Sequence, residues 1–335
     1  MVTRAEVACR AGVSVGTVSN VINKKAFVKP EYVERVKRAI EELNYVPDFN
    51  AKSLARRRNN HIGIALFEMT NPYHAEVIQW LEKYAAERDY MVTTFLLDNN
   101  TDKKYEVICE RRLDALVNFM TNDLPRNFIE TLKSQQTVLV NFNPQDSFVV
   151  VNDYSQSMLE CMRLLRDYGH KKVAYLSSID SLRYKADKRG EMFLLKRGEF
   201  GFDCADDLIF CNDDYMLHSE EIGYRLCGKL LSCHPDVTAI FCMNDLVAFG
   251  AMRKINESGL SCPHDVSVLG CDDIALGEYF NPPLTTMSFD KMKHGASIAK
   301  KIIEKIENSE CPYETIVVGS ELKLRGSVAK CKYER

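Results

Sequence analysis

Apolar positions recur every three to four residues through the first part of the chain. Val7, Ala8 and Ala11 make one short stripe, Val18, Val21 and Ile22 a second, and Val33, Val36, Ile40 and Leu43 a third. That period predicts three amphipathic helices. Thr3 and Glu6 form a capping box before the first, Gly12 supplies the turn after it, Ser14 caps the second, and Pro30 opens the third. Two short helices about a glycine turn match a helix-turn-helix unit. In that arrangement Val15 and Gly16, with Asn20 further along, enter the major groove. A helix pair about a glycine is a common pattern, and it favours DNA binding without deciding it.

Pro47 ends the third helix, because the residue before a proline is pushed away from α geometry. Residues 50–58 then read as one or two helical turns, with Leu54 set among Lys52, Arg56, Arg57 and Arg58. A helix this short is marginal on its own. It is either a flexible basic linker or a hinge that folds on DNA, with its cations on phosphates and Leu54 as a minor-groove wedge.

From His61 onward short apolar runs alternate with amphipathic helical stretches. IGIALF, MVTTFLL, DALVNFM, TVLVNF, FVVVN, KVAYLSS, LIFC, TAIFCM and DVSVLGC are the runs; helices are expected near 102–112, 126–134, 155–168, 186–198, 219–232 and 244–257. Such alternation predicts βαβ units and parallel sheets covered on both faces. These nine runs exceed the about four to six strands usual in one sheet, so two similar subdomains are expected. Ligands of such sheets sit beyond the carboxyl ends of the strands.

Charge sharpens the division. The 335 residues carry a net −3, yet residues 1–60 hold 12 Lys/Arg against 6 Asp/Glu, and the remainder hold 32 against 41. A basic head on an acidic body suits a polyanion partner for the head alone. With 46% hydrophobic and 27% charged residues, disorder throughout is excluded. No charge-free stretch approaches the ~18 apolar residues of a membrane-spanning helix, and the twelve residues 134–145 are broken by Gln and Asn. The N-terminal MVTRAEVACR has no apolar signal core. The 12 cysteines stand singly, without CxxC pairs or zinc spacing, and read as reduced thiols of a cytoplasmic protein.

Several catalytic signals fail. GYRLCGKL at 223–230 nearly spells a phosphate-binding loop, but Leu230 replaces the Ser/Thr for magnesium and the segment lies in a helical pattern. His170 in GHKK reads as a structural residue at a helix end. No nucleophile elbow, HExxH pair or dinucleotide fingerprint appears, so neither enzyme activity, metal nor cofactor is expected.

The string AGVSVGTVSNVIN, followed by VKPEYVERVKRAIEELNYVPDFNAKSLA, resembles the DNA-binding domain and hinge of the lactose-repressor (LacI) family of bacterial transcription regulators. TNPYHAEV, RDYGHKKVAYLSS, MNDLVAFGAM, DVSVLGCDDI, NPPLTTM and ELKLRGS are similar to motifs of the family's body, so the resemblance covers nearly the whole chain. It implies an α/β architecture. A helix-turn-helix domain at 1–46 and a hinge helix with linker at 47–60 precede a periplasmic-binding-protein-like module at 61–335. The first subdomain of that module takes about 61–155 and 287–315, the second about 156–286 and 316–330. Thr3, Ser14, Val15, Gly16, Thr17, Ser19, Asn20, Asn23, Asn50, Lys52, Leu54 and Arg56 are the implied contacts to a pseudo-palindromic operator. Most members carry arginine where this chain has Asn20. The chain ends soon after LKLRGS, without the tetramerising tail of some members, so a homodimer is expected.

The resemblance and the strand-end rule together give candidate effector contacts: Asn71, Tyr73, Thr121, Asn141, Asn143, Arg183, Asp187, Tyr215, Asn244, Asp272 and Phe289. Asn122, Asp245 and Asp273 lie beside them. Vicinal hydroxyls and one apolar ring face suit Asp/Asn pairs with an aromatic plate, so the expected effector is a sugar or sugar derivative. For each Asn or Asp the plainer role is a turn or helix cap, which Asp245 is expected to fill; for Phe289 it is core packing. Members usually place a basic residue where this chain has Asp187, three before Gly190; either Asp187 binds hydroxyls itself or Arg183 takes over. The function expected is an effector-gated regulator, a repressor. The other reading, a solute receptor without DNA function, has the basic head and the missing signal core against it.

Overall fold

The computed structural model describes residues 2–23, 27–46, 58–67, 69–97, 102–120, 124–212, 214 and 218–332. The hinge contacts Asn50, Lys52, Leu54 and Arg56, and the effector candidates Thr121 and Tyr215, lie outside the described residues, as do Asn122 and the side chain of Asn23. The chain forms two compact units, residues 1–60 and 61–335.

The first unit holds helices α1 (Arg4–Ala11), α2 (Val15–Asn23) and α3 (Pro30–Glu42). Val7, Ala8, Ala11, Val18, Val36, Ala39 and Tyr45 make its small core. The capping box is present: Thr3 Oγ1 accepts from the Glu6 amide while the Glu6 carboxylate accepts from the Thr3 amide at 2.7 Å. Gly12 adopts φ +64 after α1, where a side chain is strained, and the Arg35 guanidinium of α3 donates to its carbonyl.

In the second unit β1 (His61–Leu66), β2 (Met91–Leu96), β3 (Ala115–Asn118) and β4 (Val138–Val140) form a parallel sheet in the order β2-β1-β3-β4. A larger sheet contains β5 (Val149–Asp153), β6 (Val173–Ser177), β7 (Ile209–Cys211), β8 (Ala239–Cys242), β9 (Ser267–Cys271), β10 (Thr285–Phe289) and β11 (Thr315–Lys323). Its order is β5-β11-β10-β9-β8-β6-β7, parallel except where β10 meets β11. β11 pairs with β5 through Gly319 and with β10 from Ser320 onward. A bridge between Val140 and Phe148 joins the two sheets. β1, β3, β4, β6, β8, β9 and β10 are buried almost throughout, as unbroken apolar runs require, whereas β2, β5, β7 and β11 keep half-buried or exposed positions.

Helices cover these sheets. They are α4 (Pro72–Ala86), α5 (Asp102–Glu110), α6 (Arg126–Ser134), α7 (Ser155–Asp167), α8 (Lys188–Lys196), α9 (Ser219–Cys233), α10 (Asp245–Glu257), the short α11 (Leu276–Tyr279) and α12 (Lys291–Glu307). α4 and α12 pack backbone to backbone, since a Cβ on Gly295 would lie 2.2 Å from the Val77 carbonyl oxygen. The GYRLCGKL segment lies inside α9, where Gly223 packs on the α10 backbone, so it is a helix contact and no phosphate loop. His170 is buried and structural, bonded to Thr238 Oγ1 and the Ala329 carbonyl.

Candidate functional site

In the first unit α2 presents a polar and small-residue face. Ser14 Oγ accepts from the Thr17 amide at 3.1 Å and bonds the Thr17 hydroxyl at 2.9 Å, so these two side chains fix the start of α2. Ser14, Val15, Gly16 and Asn20 are exposed, whereas Thr17 and Ser19 are half-buried and Val18 is fully buried. Thr3 caps α1 at the surface. The second helix is therefore held by its cap and its apolar side while its opposite side faces solvent.

In the second unit the carboxyl ends of β5, β8, β9 and β10 bring a cluster of polar and aromatic residues together. Tyr73, near the start of α4, is buried, and its hydroxyl meets Asn152 Nδ2 at 3.0 Å and His294 Nδ1 at 3.0 Å. Asn152 donates to the phenol oxygen, which also shares a hydrogen bond with the imidazole. The other ring nitrogen of His294 is Nε2. That Nε2 and the Asn152 Oδ1 have no hydrogen-bond partner among the described residues. Burial, with a smaller contribution from His74, pushes His294 down to about 4; burial and the Arg189 charge do the same to His74. Both imidazoles are neutral at physiological pH. The Phe289 ring meets Tyr73 and Tyr154 edge-on, with centroids 6.1 and 5.1 Å away, and His74 stacks on Phe119.

Asp272 follows β9 with φ +112, and Asp273 follows with φ +49. Two successive non-glycine residues at positive φ are costly, and such strain gathers at ligand sites. It is held by the Asp272 amide donating to the Met287 carbonyl and by Asp273, which accepts from Arg325 and Ser288. Asp272 is 7% exposed and makes no salt bridge among the described residues. Burial pushes its carboxyl up to about 6, with Arg189 and Lys291 partly offsetting. Lys291 itself donates to the Asp273 carbonyl and pairs with Glu76.

Arg189, a residue outside the sequence-derived set, sits at the centre. It donates to both Asp187 oxygens, from Nε and Nη2, and from Nη1 to the Met243 carbonyl, and its guanidinium lies 5.4 Å from the Tyr154 ring centre. Burial alone would raise the Asp187 carboxyl, but the Arg189 charge and its hydrogen bonds hold it below the ordinary value. Asp187 also caps α8, accepting from the Arg189 amide. Arg183 instead pairs with Asp180 at 2.6 Å with its side chain 47% exposed, so it does not replace the missing cation.

The remaining candidates fill structural roles. Asn71 caps α4 and Asn244 caps α10, accepting from the Tyr73 and Val247 amides. The expected cap at Asp245 is corrected: Asp245 is the first helical residue, wholly buried, accepting from the Ile274 amide and the Thr286 hydroxyl. Asn141, at φ +61, accepts from the Val150 amide and donates to the Asn118 carbonyl. Asn143 is an exposed turn residue bonded to the Gln145 amide. Of the sequence-derived set the structure gathers Tyr73, Asp187, Asp272 and Phe289. It adds Asn152, Tyr154, Arg189 and His294, which no local pattern had marked. The one available signal is the strand-end rule itself, since Asn152 lies next to last in β5 and Tyr154 follows it.

Comparison with known proteins agrees with both units. Residues 3–48 match the family model of bacterial regulatory proteins, lacI family, and residues 162–328 match a periplasmic binding protein-like domain. An HTH-type transcriptional repressor PurR from Mannheimia succiniciproducens is 31% identical over 338 residues, 98% of this chain and 99% of that protein. The protein of the same description from Pasteurella multocida is 31% identical over 339 residues, again 98% and 99%. Among solved structures, the lac repressor dimer bound to operator and the anti-inducer ONPF has a TM-score of 0.79 at 22% identity, covering 98% of this chain and 99% of that one. A transcriptional regulator CelR–cellobiose complex has a TM-score of 0.69 at 23% identity, covering 98% and 100%.

Proposed function

From the premise that this chain belongs to the lacI family of bacterial regulatory proteins, we propose that it is a cytoplasmic, homodimeric repressor gated by a sugar-like effector. It is a DNA-binding transcription regulator with a periplasmic-binding-protein-like module, not an enzyme. The basic head takes a pseudo-palindromic operator. The effector occupies the space between Asp272, Arg189, Tyr73, Tyr154 and Phe289.

One observation supports the effector site: Asp272, buried on strained backbone with no salt bridge among the described residues, is electrostatically coupled to Tyr73, Tyr154 and an Arg189 whose charge Asp187 balances. A carboxylate with free acceptor positions takes adjacent hydroxyls, and ring edges and faces cover an apolar sugar face. Cellobiose in the CelR complex and ribose in the Enterococcus faecium family structure are ligands of this class in proteins of the same fold. The effector acts on DNA only to the extent that it binds the DNA-competent and DNA-incompetent arrangements unequally. The hinge segment, with Leu54 as wedge, then connects cleft to operator.

The test has two arms. Thermal-shift screening of the purified protein against sugars and nucleosides identifies ligands that stabilise by mass action. Mobility shifts over a salt series then measure DNA binding; log K falling linearly with log salt supports phosphate contacts by the head, and salt-independent affinity overturns them. Stabilisation by nucleosides alone replaces the sugar reading.

A further inference from the structure

Gly16 has no internal reason to be glycine. Its φ is not in the left-handed region, and a Cβ there would find its nearest neighbour, Ser14 Oγ, at 3.6 Å. The helical glycines Gly190, Gly223, Gly250 and Gly295 each have a backbone oxygen 2.5 Å or less from where a Cβ would stand. Gly228 and Gly277 lack that crowding too, but they are half-buried and buried within the second unit, whereas Gly16 is exposed. Glycine weakens a helix relative to alanine, so its presence without crowding points to a neighbour outside the unit.

Three further facts identify that neighbour's chemistry. Val15, beside Gly16, is 47% exposed at the start of a helix whose other valines turn inward. Asn20 lies one turn beyond Gly16 on the same face, exposed, and makes no side-chain hydrogen bond within the described residues. No Lys or Arg occurs between Arg10 and Lys24, so this face carries no cation for guanine or phosphate. In the major groove an isopropyl group suits the thymine methyl, and an amide suits the paired N6 and N7 of adenine.

We propose that at Gly16 the α2 backbone closes directly on the operator, which lets Val15 reach a thymine methyl and Asn20 read an adenine one turn on. The half-site under α2 is accordingly marked by A·T pairs. This rests on the reading of the first unit as an operator binder.

The experiment uses the full chain. A duplex library with both half-sites randomised is selected by the wild-type protein, and affinities for the enriched duplex are measured by fluorescence anisotropy. Enriched half-sites should hold a T·A pair that, changed to deoxyuridine in both half-sites, costs about tenfold through loss of the methyl alone. Gly16→Ala should keep or raise the melting temperature yet bind the enriched duplex at least about fivefold more weakly. Asn20→Ala should lose discrimination at one adenine. Equal affinity for thymine and uracil duplexes, or wild-type binding by Gly16→Ala, overturns the inference while leaving operator binding intact. Should Gly16→Ala not fold, the uracil comparison on wild type decides alone. If the wild type enriches no sequence, operator binding itself falls and this inference with it.

Discussion

Asp187 holds Arg189 by both of its oxygens, accepting from Nε at 2.8 Å and from Nη2 at 2.8 Å. The pair is part-buried, its side chains 18% and 13% exposed, and it arises within one turn of α8. The cation beside Gly190 is thus balanced by a carboxylate two residues before it. The Arg189 charge is therefore not free for an anionic effector; it serves as an oriented donor.

Removing that donor separates position from charge. Arg189→Ala leaves Asp187 partly buried without its partner, and unfolding should lose about 1–3 kcal/mol, read by thermal or urea denaturation. Asp187→Ala with Arg189→Ala should recover part of that loss. A double variant no more stable than the single one would show that the pair does not couple.

Asp272→Ala removes a buried carboxylate that makes no salt bridge among the described residues. Charged hydrogen bonds are worth about 1.5–3 kcal/mol each, so effector affinity should fall by roughly ten to a few hundred fold in calorimetric titration. DNA affinity without effector should barely move, and the variant should stay in its effector-free regulatory state. Locked on DNA, it identifies an inducer; locked off, a corepressor. Equal effector affinities would remove Asp272 from the site.

Asp272 also predicts a pH dependence. Its folded carboxyl is pushed up to about 6 from an ordinary 3.8. A raised acid penalises the folded state above about 6 and ceases to do so below about 4, so its contribution to stability declines as pH rises between those values. Asp272→Asn should raise the melting temperature at pH 7 to 8 by roughly 2–6 °C and flatten this segment of the stability profile. Hydroxyl-donating effectors should bind wild type more weakly below about pH 6, and Asp272→Asn should not show that slope. An unchanged wild-type profile across pH 4 to 7 would place the carboxyl elsewhere.

Gly12→Ala tests the turn of the DNA-reading unit. Its φ of +64 is strained for alanine, and the new Cβ would stand 2.2 Å from Arg35 Nη2. The loss should be about 1–2 kcal/mol, with the Arg35 hydrogen bond to the Gly12 carbonyl given up as well. Circular dichroism at the helical band and operator affinity should fall together, with effector affinity unchanged. Unaltered helix signal and operator affinity would show that the turn tolerates a side chain.

How far these features could be read beforehand depends on distance along the chain. The caps at Thr3, Ser14, Asn71 and Asn244 are local events, a side chain and an amide two or three residues on, and a short motif contains the whole interaction. Strands such as β6, β8 and β9 are legible for the same reason, because burial on both faces leaves unbroken apolar runs, whereas β10 and the half-exposed β11 offer no such run. Tyr73 and His294 are 221 positions apart and meet only because α12 returns onto α4. No window of sequence holds that contact. Asn141 and Asn143 were drawn to the cleft by lying just past a strand, the rule that also marks turns, and the turn took them. Arg189 carries no local mark of its place, because its side chain reaches the Met243 carbonyl just past β8, 54 positions away.

β11 belongs half to one neighbour and half to another, changing partner between Gly319 and Ser320. Nothing lies within 4 Å of a Cβ on Gly319, while Ser320 is tied to the Asp153 carbonyl and the Ser157 hydroxyl. A single strand thus ties two ladders into one piece, each half clamped by its own partner. Twist of one ladder against the other would fall on that junction, where a glycine offers backbone freedom and a serine supplies the anchor. Gly319→Val should therefore stiffen this strand without touching any residue proposed to meet ligand or DNA.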